Sequence, residues 1–248
     1  YYMVQMAKPK LKGKARTVCE AVKALQQMYA DDEGLALSLL DGIGCSALGL
    51  RAAGLFKKAK ITKFASVEKE EDVRRVGAAV HQDTPGYTQG FMGAHDIDDI
   101  TEEMIAAIPE GVLRVIFASP MCNDFSKLRL LPDRKDYRGP KRKPGEDPRA
   151  GLNGKYGRTF RTVIKIIQWV LKYQPHALYF VENVEFKAMV AHWKEVCDAL
   201  GEPLIVDHED HSTTKRRRAY WTNFEIPDYW HGGRGPIDPD TCMDPGRK

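Results

Sequence analysis

Short apolar runs that end in turn residues alternate along this chain with segments whose apolar residues recur at helical spacing, and that alternation constrains the fold more than any other feature. Residues 35–40 are apolar apart from Ser38 and run into Asp41-Gly42-Ile43-Gly44, which reads as a buried strand feeding a tight turn. A helix is expected over 47–55, closing near Gly54, then a strand over 62–68, a helix over 70–80 and a strand over 112–118. Phe160, Val163, Ile164, Ile167, Val170 and Leu171 mark a helix that Pro175 stops. A strand over 177–181 ends at Glu182-Asn183. Phe186, Met189, Val190, Trp193, Cys197 and Leu200 line a further helix closed by Gly201, and late strands follow at 204–206 and 219–224. Strands that alternate with helices predict an α/β fold, a mostly parallel sheet with helices on both faces. Ligands in such folds sit at the carboxyl ends of the strands. The turn at Asp41, Glu68, the segment around Cys122 and Glu182-Asn183 all fall there.

At 248 residues a single domain is the default. Thr17 and Glu20 have capping-box spacing, and Val18, Val22, Leu25 and Tyr29 follow on one face, so a helix is expected over 13–30. The 29% charged and 43% hydrophobic content excludes a mainly disordered chain. No apolar run reaches the roughly 20 residues that span a bilayer, so no membrane partner is expected. The N-terminus lacks a signal-peptide layout, and the five cysteines are widely spaced without a CxxC. Reduced thiols, no metal site and an intracellular setting are expected, cytoplasmic in a bacterium or phage and nuclear in a eukaryote.

The net charge of +4 is unevenly spread. Eleven Lys and Arg stand against four acids between Lys127 and Arg158, among four prolines and five glycines. That punctuation reads as a long basic loop over 127–158. Two readings stand: a solvated insert, or a loop that contacts phosphates through Ser126, Lys127, Arg129, Arg134, Lys135 and Arg158. A second run, Lys215-Arg216-Arg217-Arg218, leads directly into a strand.

Gly42-Ile43-Gly44-Cys45-Ser46-Ala47 fits the GxGxxG/A pattern after a strand, with Glu68 ending the next strand. Glycines admit a ligand close to backbone, and the carboxylate can accept both ribose hydroxyls. Alone, this suits a nicotinamide or flavin dinucleotide or S-adenosylmethionine. Asp41 favours a cationic ligand, since a carboxylate repels a pyrophosphate and attracts an amine or sulfonium. Cys122 ends a strand and is placed to be a nucleophile; a small apolar filler is the alternative. Glu182 leaves a buried strand as a proton donor or as a structural ion-pair member. Arg216 and Arg218 alternate onto one face, as a site pair or as a solvated edge.

In order, Asp41-Gly-Ile-Gly, Glu68, Asp96, Ser119-Pro-Met-Cys122-Asn-Asp-Phe-Ser126, Glu182-Asn-Val and Arg216-Arg-Arg218-Ala-Tyr-Trp-Thr-Asn resemble the DNA cytosine-5 methyltransferases, closest in form to the de novo type. The resemblance covers roughly residues 35–224. It implies a Rossmann-like S-adenosylmethionine-dependent methyltransferase fold with a seven-stranded, mostly parallel sheet. It also implies methyl transfer to carbon 5 of cytosine in DNA with S-adenosylhomocysteine as product and with base flipping. Cys122 is then the nucleophile toward carbon 6, Glu182 the partner of ring nitrogen 3, Asn183 an orienting group, and Arg218 with Arg216 contacts to the base. Leu40, Asp41, Gly42, Ile43, Gly44, Glu68, Lys69, Asp96, Ile97, Ser119 and Pro120 form the cofactor pocket, with Glu68 on the ribose and Asp96 on the adenine. The basic loop and Lys215 contact the nucleic acid. Acceptors other than DNA, namely RNA or a cytosine nucleotide, and a binding paralogue with little catalysis remain as alternatives.

The sequence departs from the family pattern at Met121, where the family has proline before the cysteine. Residues 225–248 are short for a recognition region, so a protein partner that supplies target recognition is expected. The N-terminal helix is expected to pack beside the first strand in place of the family's closing helix.

Overall fold

The computed structural model describes residues 33–84, 86–126, 149–208 and 216–225. The predicted helix at 13–30, Lys127, Arg129, Arg134, Lys135, Lys215 and residues 226–248 lie outside these.

Seven strands form one sheet in the order β3-β2-β1-β4-β5-β7-β6. They are β1 (Gly34–Leu39), β2 (Ile61–Val67), β3 (Tyr87–Gln89), β4 (Leu113–Ala118), β5 (Leu178–Val184), β6 (Leu204–Asp207) and β7 (Arg217–Thr222). Helices α1 (Cys45–Ala52), α2 (Leu55–Lys58), α3 (Glu71–Val80), α4 (Glu102–Ala106), α5 (Gly157–Tyr173) and α6 (Val190–Leu200) connect them. The first five strands in this order pair in parallel, and β7 inserts antiparallel between β5 and β6. This is the Rossmann-like, mostly parallel seven-stranded fold that the resemblance implies.

Central strands are mostly apolar because both faces are covered, with Ser38, Ser66 and Arg114 buried among the apolar residues. In β1 every residue but the half-buried Leu35 is buried. Helix α5 turns Phe160, Val163, Ile164, Ile167 and Val170 onto the sheet, the 3.6-residue period seen in the sequence. Beneath the segment that carries Cys122 lies an aromatic cluster. Phe125 stands 4.5 Å from Phe186, Phe160 5.6 Å from Trp221, and Trp193 5.5 Å from Trp221, between ring centres. Such pairs add about 0.5–1.5 kcal/mol each beyond the area they bury.

Several boundaries differ from the sequence reading. The first helix stops at Ala52, and Gly54 opens the separate short helix α2 rather than closing α1. Strand β5 continues through Glu182 and Asn183 to Val184, because β7 pairs alongside it and supplies the hydrogen bonds that prolong it. Arg158 belongs to the first turn of α5 and not to a loop. Strand β3, three residues long, carries no alternation that a sequence could reveal. No helix among the described residues is long and apolar enough to cross a membrane.

Candidate functional site

The turn after β1 is built around two features of its sequence. Leu40, Gly42 and Gly44 all adopt positive φ, at 55°, 60° and 87°. A side chain at Gly44 would also overlap the His81 ring, so this position demands glycine on both counts. His81 is only 2% exposed and stacks on Tyr87 at 4.4 Å. Its Nε2 lies 3.1 Å from the Ile43 carbonyl and its Nδ1 3.2 Å from Thr84 Oγ1. A carbonyl accepts, so Nε2 carries the proton and Nδ1 accepts from the threonine hydroxyl. His81 thus props the glycine turn from beneath. Nothing in the sequence motif marks it.

Asp41 is held by two hydroxyls. Ser38 and Ser46 each donate to its Oδ1 at 2.5 Å. Its Oδ2 is buried yet has no hydrogen-bond partner among the described residues. A desolvated carboxylate oxygen without a donor is costly unless a ligand satisfies it. Just beside it, a side chain at Gly42 would meet open space, which leaves a cradle at the carboxyl end of β1. Glu68, at the end of β2, faces the same turn: Gly42 N–H donates to its Oε2 at 3.2 Å and Glu70 N–H to its Oε1 at 3.0 Å. The Arg74 guanidinium donates to the carbonyls of Glu68 at 3.0 Å and Lys69 at 2.5 Å, fixing where that strand ends.

Asp96 caps the short helical turn Ile97–Asp99, with its Oδ1 accepting from Asp98 N–H at 3.2 Å. Ile97, predicted in the cofactor pocket, is buried in the core at 1% exposure. Lys69 and Arg158, assigned from sequence to cofactor and nucleic acid respectively, line one cleft with Asp98, Lys155, Thr159 and Thr162.

A second group gathers where β4 and β5 end and the antiparallel β7 begins. Ala118 pairs with Val181, so Ser119 and Glu182 follow in register. The Ser119 hydroxyl donates to Glu182 Oε2 at 2.7 Å. Strand β7 places Tyr220 opposite Glu182 and Arg218 opposite Val184, so Arg218 lies diagonal to Glu182 on the same face. Their ion pair closes at 2.7 Å from Arg218 Nε to Glu182 Oε1, with side-chain exposures of 16% and 22%. Both oxygens of Glu182 are therefore engaged and the carboxylate is rigidly aimed. Asn183, on the opposite face, is 1% exposed and donates from Nδ2 to the Pro120 carbonyl at 2.8 Å. Arg216 precedes β7 and is exposed.

Cys122 is a free, half-buried thiol. Its carbonyl accepts from Phe125 N–H and Ser126 N–H, both at 2.9 Å, which makes a tight turn. It lies three positions after Ser119, a reach of at most about 11 Å between Cα atoms. The turn that carries Cys122 thus follows the end of β4, beside the end of β5 where Glu182 lies. Met121, in place of the expected proline, is exposed. Sequence reasoning missed Ser38, Ser46 and His81 as supports. Only the hydroxyl pair flanking Asp41 carried a sequence signal.

Among the described residues no cluster of metal-binding side chains occurs. No family model matches the chain, and no curated protein matches it. Solved structures with a similar fold include a protein assigned as an RNA methyltransferase from Pyrococcus horikoshii, 10% identical over 91% of this chain and 97% of that one, with a TM-score of 0.41. An rRNA methylase from Streptococcus thermophilus is 9% identical over 87% and 100%, with a TM-score of 0.43. Precorrin 8w decarboxylase from Methanobacterium thermoautotrophicum is 11% identical over 86% and 93%, with a TM-score of 0.39. At such values these likenesses say nothing of substrate.

Proposed function

We propose that this chain is a cytosine-5 methyltransferase acting on nucleic acid, with DNA as the leading acceptor. The observation that carries this reading is the meeting of Glu182, Arg218 and Ser119 at one edge of the sheet, three residues from the free thiol of Cys122.

S-adenosylmethionine, when bound, supplies an electrophilic methyl group on a sulfonium. The residues present fit it. The orphaned Asp41 Oδ2 suits its ammonium group, the open cradle at Gly42 admits its backbone, and Glu68 suits its ribose. A pyrophosphate would be repelled by Asp41, which disfavours a dinucleotide.

Carbon 5 of cytosine is a poor nucleophile while the ring is aromatic. Cys122 as thiolate forms a bond to carbon 6 and pushes the ring's electron pair toward nitrogen 3. Glu182, once it has taken up a proton from solvent, donates from its acid form to nitrogen 3 and so receives this density. Arg218 keeps the Glu182 carboxyl in place and stands beside the base. Carbon 5, now enamine-like, would accept the methyl group that bound S-adenosylmethionine supplies, with S-adenosylhomocysteine as the leaving thioether. Water takes the carbon 5 proton, the Cys122 thiolate is expelled, and the nitrogen 3 proton returns to Glu182 as aromaticity is restored. A base in a duplex must leave the stack to reach Cys122.

RNA is the second acceptor, because Cys122, Glu182 and Arg218 address the base and not the sugar. The test is to incubate the protein with S-adenosylmethionine and duplex DNA, tRNA or cytidine nucleotide. Acid or enzymatic digests are then analysed for 5-methylcytosine by mass spectrometry. The product is expected from DNA. Methylation at another atom, or none with any acceptor, would overturn the proposal, and product from tRNA alone would move it to RNA.

A further inference from the structure

We propose that Asp124 is a positioning residue for Cys122, a buried clasp that fixes the nucleophile's turn to the start of helix α5. This rests on the assignment of Cys122 above. Asp124 is 3% exposed, an unusual place for a carboxylate. Its Oδ2 accepts two backbone N–H groups, from Tyr156 at 2.8 Å and Gly157 at 3.0 Å. These are the cap and the first residue of α5, whose unsatisfied donors and positive dipole end suit an anion. The Asp124 backbone carbonyl also accepts from Gly151 N–H at 3.0 Å. One residue thus joins the segment leaving Cys122 to the segment that returns after Arg149.

The partner side is shaped for this carboxylate. Gly154 lies so close that any side chain there would overlap Asp124 Oδ2. Its φ is −74°, an ordinary value, so the glycine serves close approach and not backbone strain. Cys122 is in the same turn, with its carbonyl bound by Phe125 N–H and Ser126 N–H. Phe125 is buried against Phe160 of α5 and Phe186, so the turn is anchored by a charge on one side and a ring on the other. The ring resists withdrawal of the turn. The directional bonds to the helix start fix its orientation, which a reacting sulfur needs to within a fraction of an ångström.

The variants Asp124→Ala, Gly154→Ala and the double variant test this. Asp124→Ala removes the acceptor, and Gly154→Ala displaces it. Each is expected to lower kcat for methyl transfer by about tenfold to a hundredfold while leaving the KM for S-adenosylmethionine within about twofold. In the double variant the losses are expected not to multiply, since both act on one contact. Asp124→Asn keeps a carbonyl oxygen for both N–H groups and is expected to recover most of kcat.

A second readout does not depend on methyl transfer. Alkylation by iodoacetamide, resolved by peptide, is expected to speed at Cys122 by about threefold in Asp124→Ala with Cys197 unchanged. Faster alkylation of both thiols would mean general loosening and would overturn the proposal, as would unchanged alkylation of Cys122. Wild-type kcat in the folded Ala variants would overturn it too. Failure of the wild type to methylate any acceptor would refute the proposed function, and the alkylation comparison would still decide the role of Asp124.

Discussion

Replacing Asp41 by asparagine changes one atom and asks what that atom is for. Ser38 and Ser46 both donate to Oδ1, and neither hydroxyl has a use for an amide N–H in that place. The asparagine carbonyl therefore stays with the serines, and its NH2 occupies the position of the orphaned Oδ2. A ligand ammonium that met a carboxylate oxygen now meets a donor. A hydrogen bond to a charged group contributes about 1.5–3 kcal/mol, so binding of S-adenosylmethionine should weaken about 10-fold to 150-fold. Isothermal titration calorimetry measures this directly. S-adenosylhomocysteine retains the amino group and should lose as much, whereas adenosine lacks it and should bind Asp41→Asn and wild type equally. Equal losses for all three ligands, or none for any, would refute the assignment of Oδ2 to the ammonium.

Gly44→Ala is expected to abolish cofactor binding and to cost at least about 1–2 kcal/mol of stability, from the left-handed φ and the overlap with His81, as urea denaturation would report. Arg218→Met should lower kcat about tenfold to a hundredfold, because Glu182 loses its half-buried partner while Ser119 still holds the other oxygen; steady-state kinetics check this. Burial and the nearby Glu202 push the Cys197 thiol up to about 11. The folded state then keeps a proton that the unfolded chain releases near its ordinary thiol value. The resulting stabilisation is complete below about pH 8.5 and fades as pH rises toward 11. Melting temperatures of Cys197→Ala and wild type should converge in that interval.

Much of this arrangement was legible in the sequence because it depends on local pattern. The strand before Asp41 and the glycines after it are contiguous, and the period of α5 is written in Phe160, Val163 and Ile167. What lay beyond reach depends on pairing at long range. The extension of β5 through Glu182 needs β7, which arrives 35 residues later in the register Val184 to Arg218 opposite Asn183 to Ala219. His81 supports a carbonyl 38 residues earlier, and Asp124 caps a helix 32 residues onward. A single buried histidine or aspartate has no periodicity, so no motif could assign either partner. Ile97 follows Asp96 directly in sequence, and only the packing shows that it belongs to the core.

The central claim is that the Cys122 sulfur bonds to carbon 6 of cytosine. An oligonucleotide whose target cytosine carries fluorine at carbon 5 has no proton to lose there after methylation, so the sulfur cannot be expelled. With S-adenosylmethionine, mass spectrometry of the intact complex should find protein, oligonucleotide and one methyl group covalently joined, with the link mapping to Cys122. A chain that forms 5-methylcytosine on the unmodified oligonucleotide yet yields no such adduct, or one joined through another residue, would contradict the account.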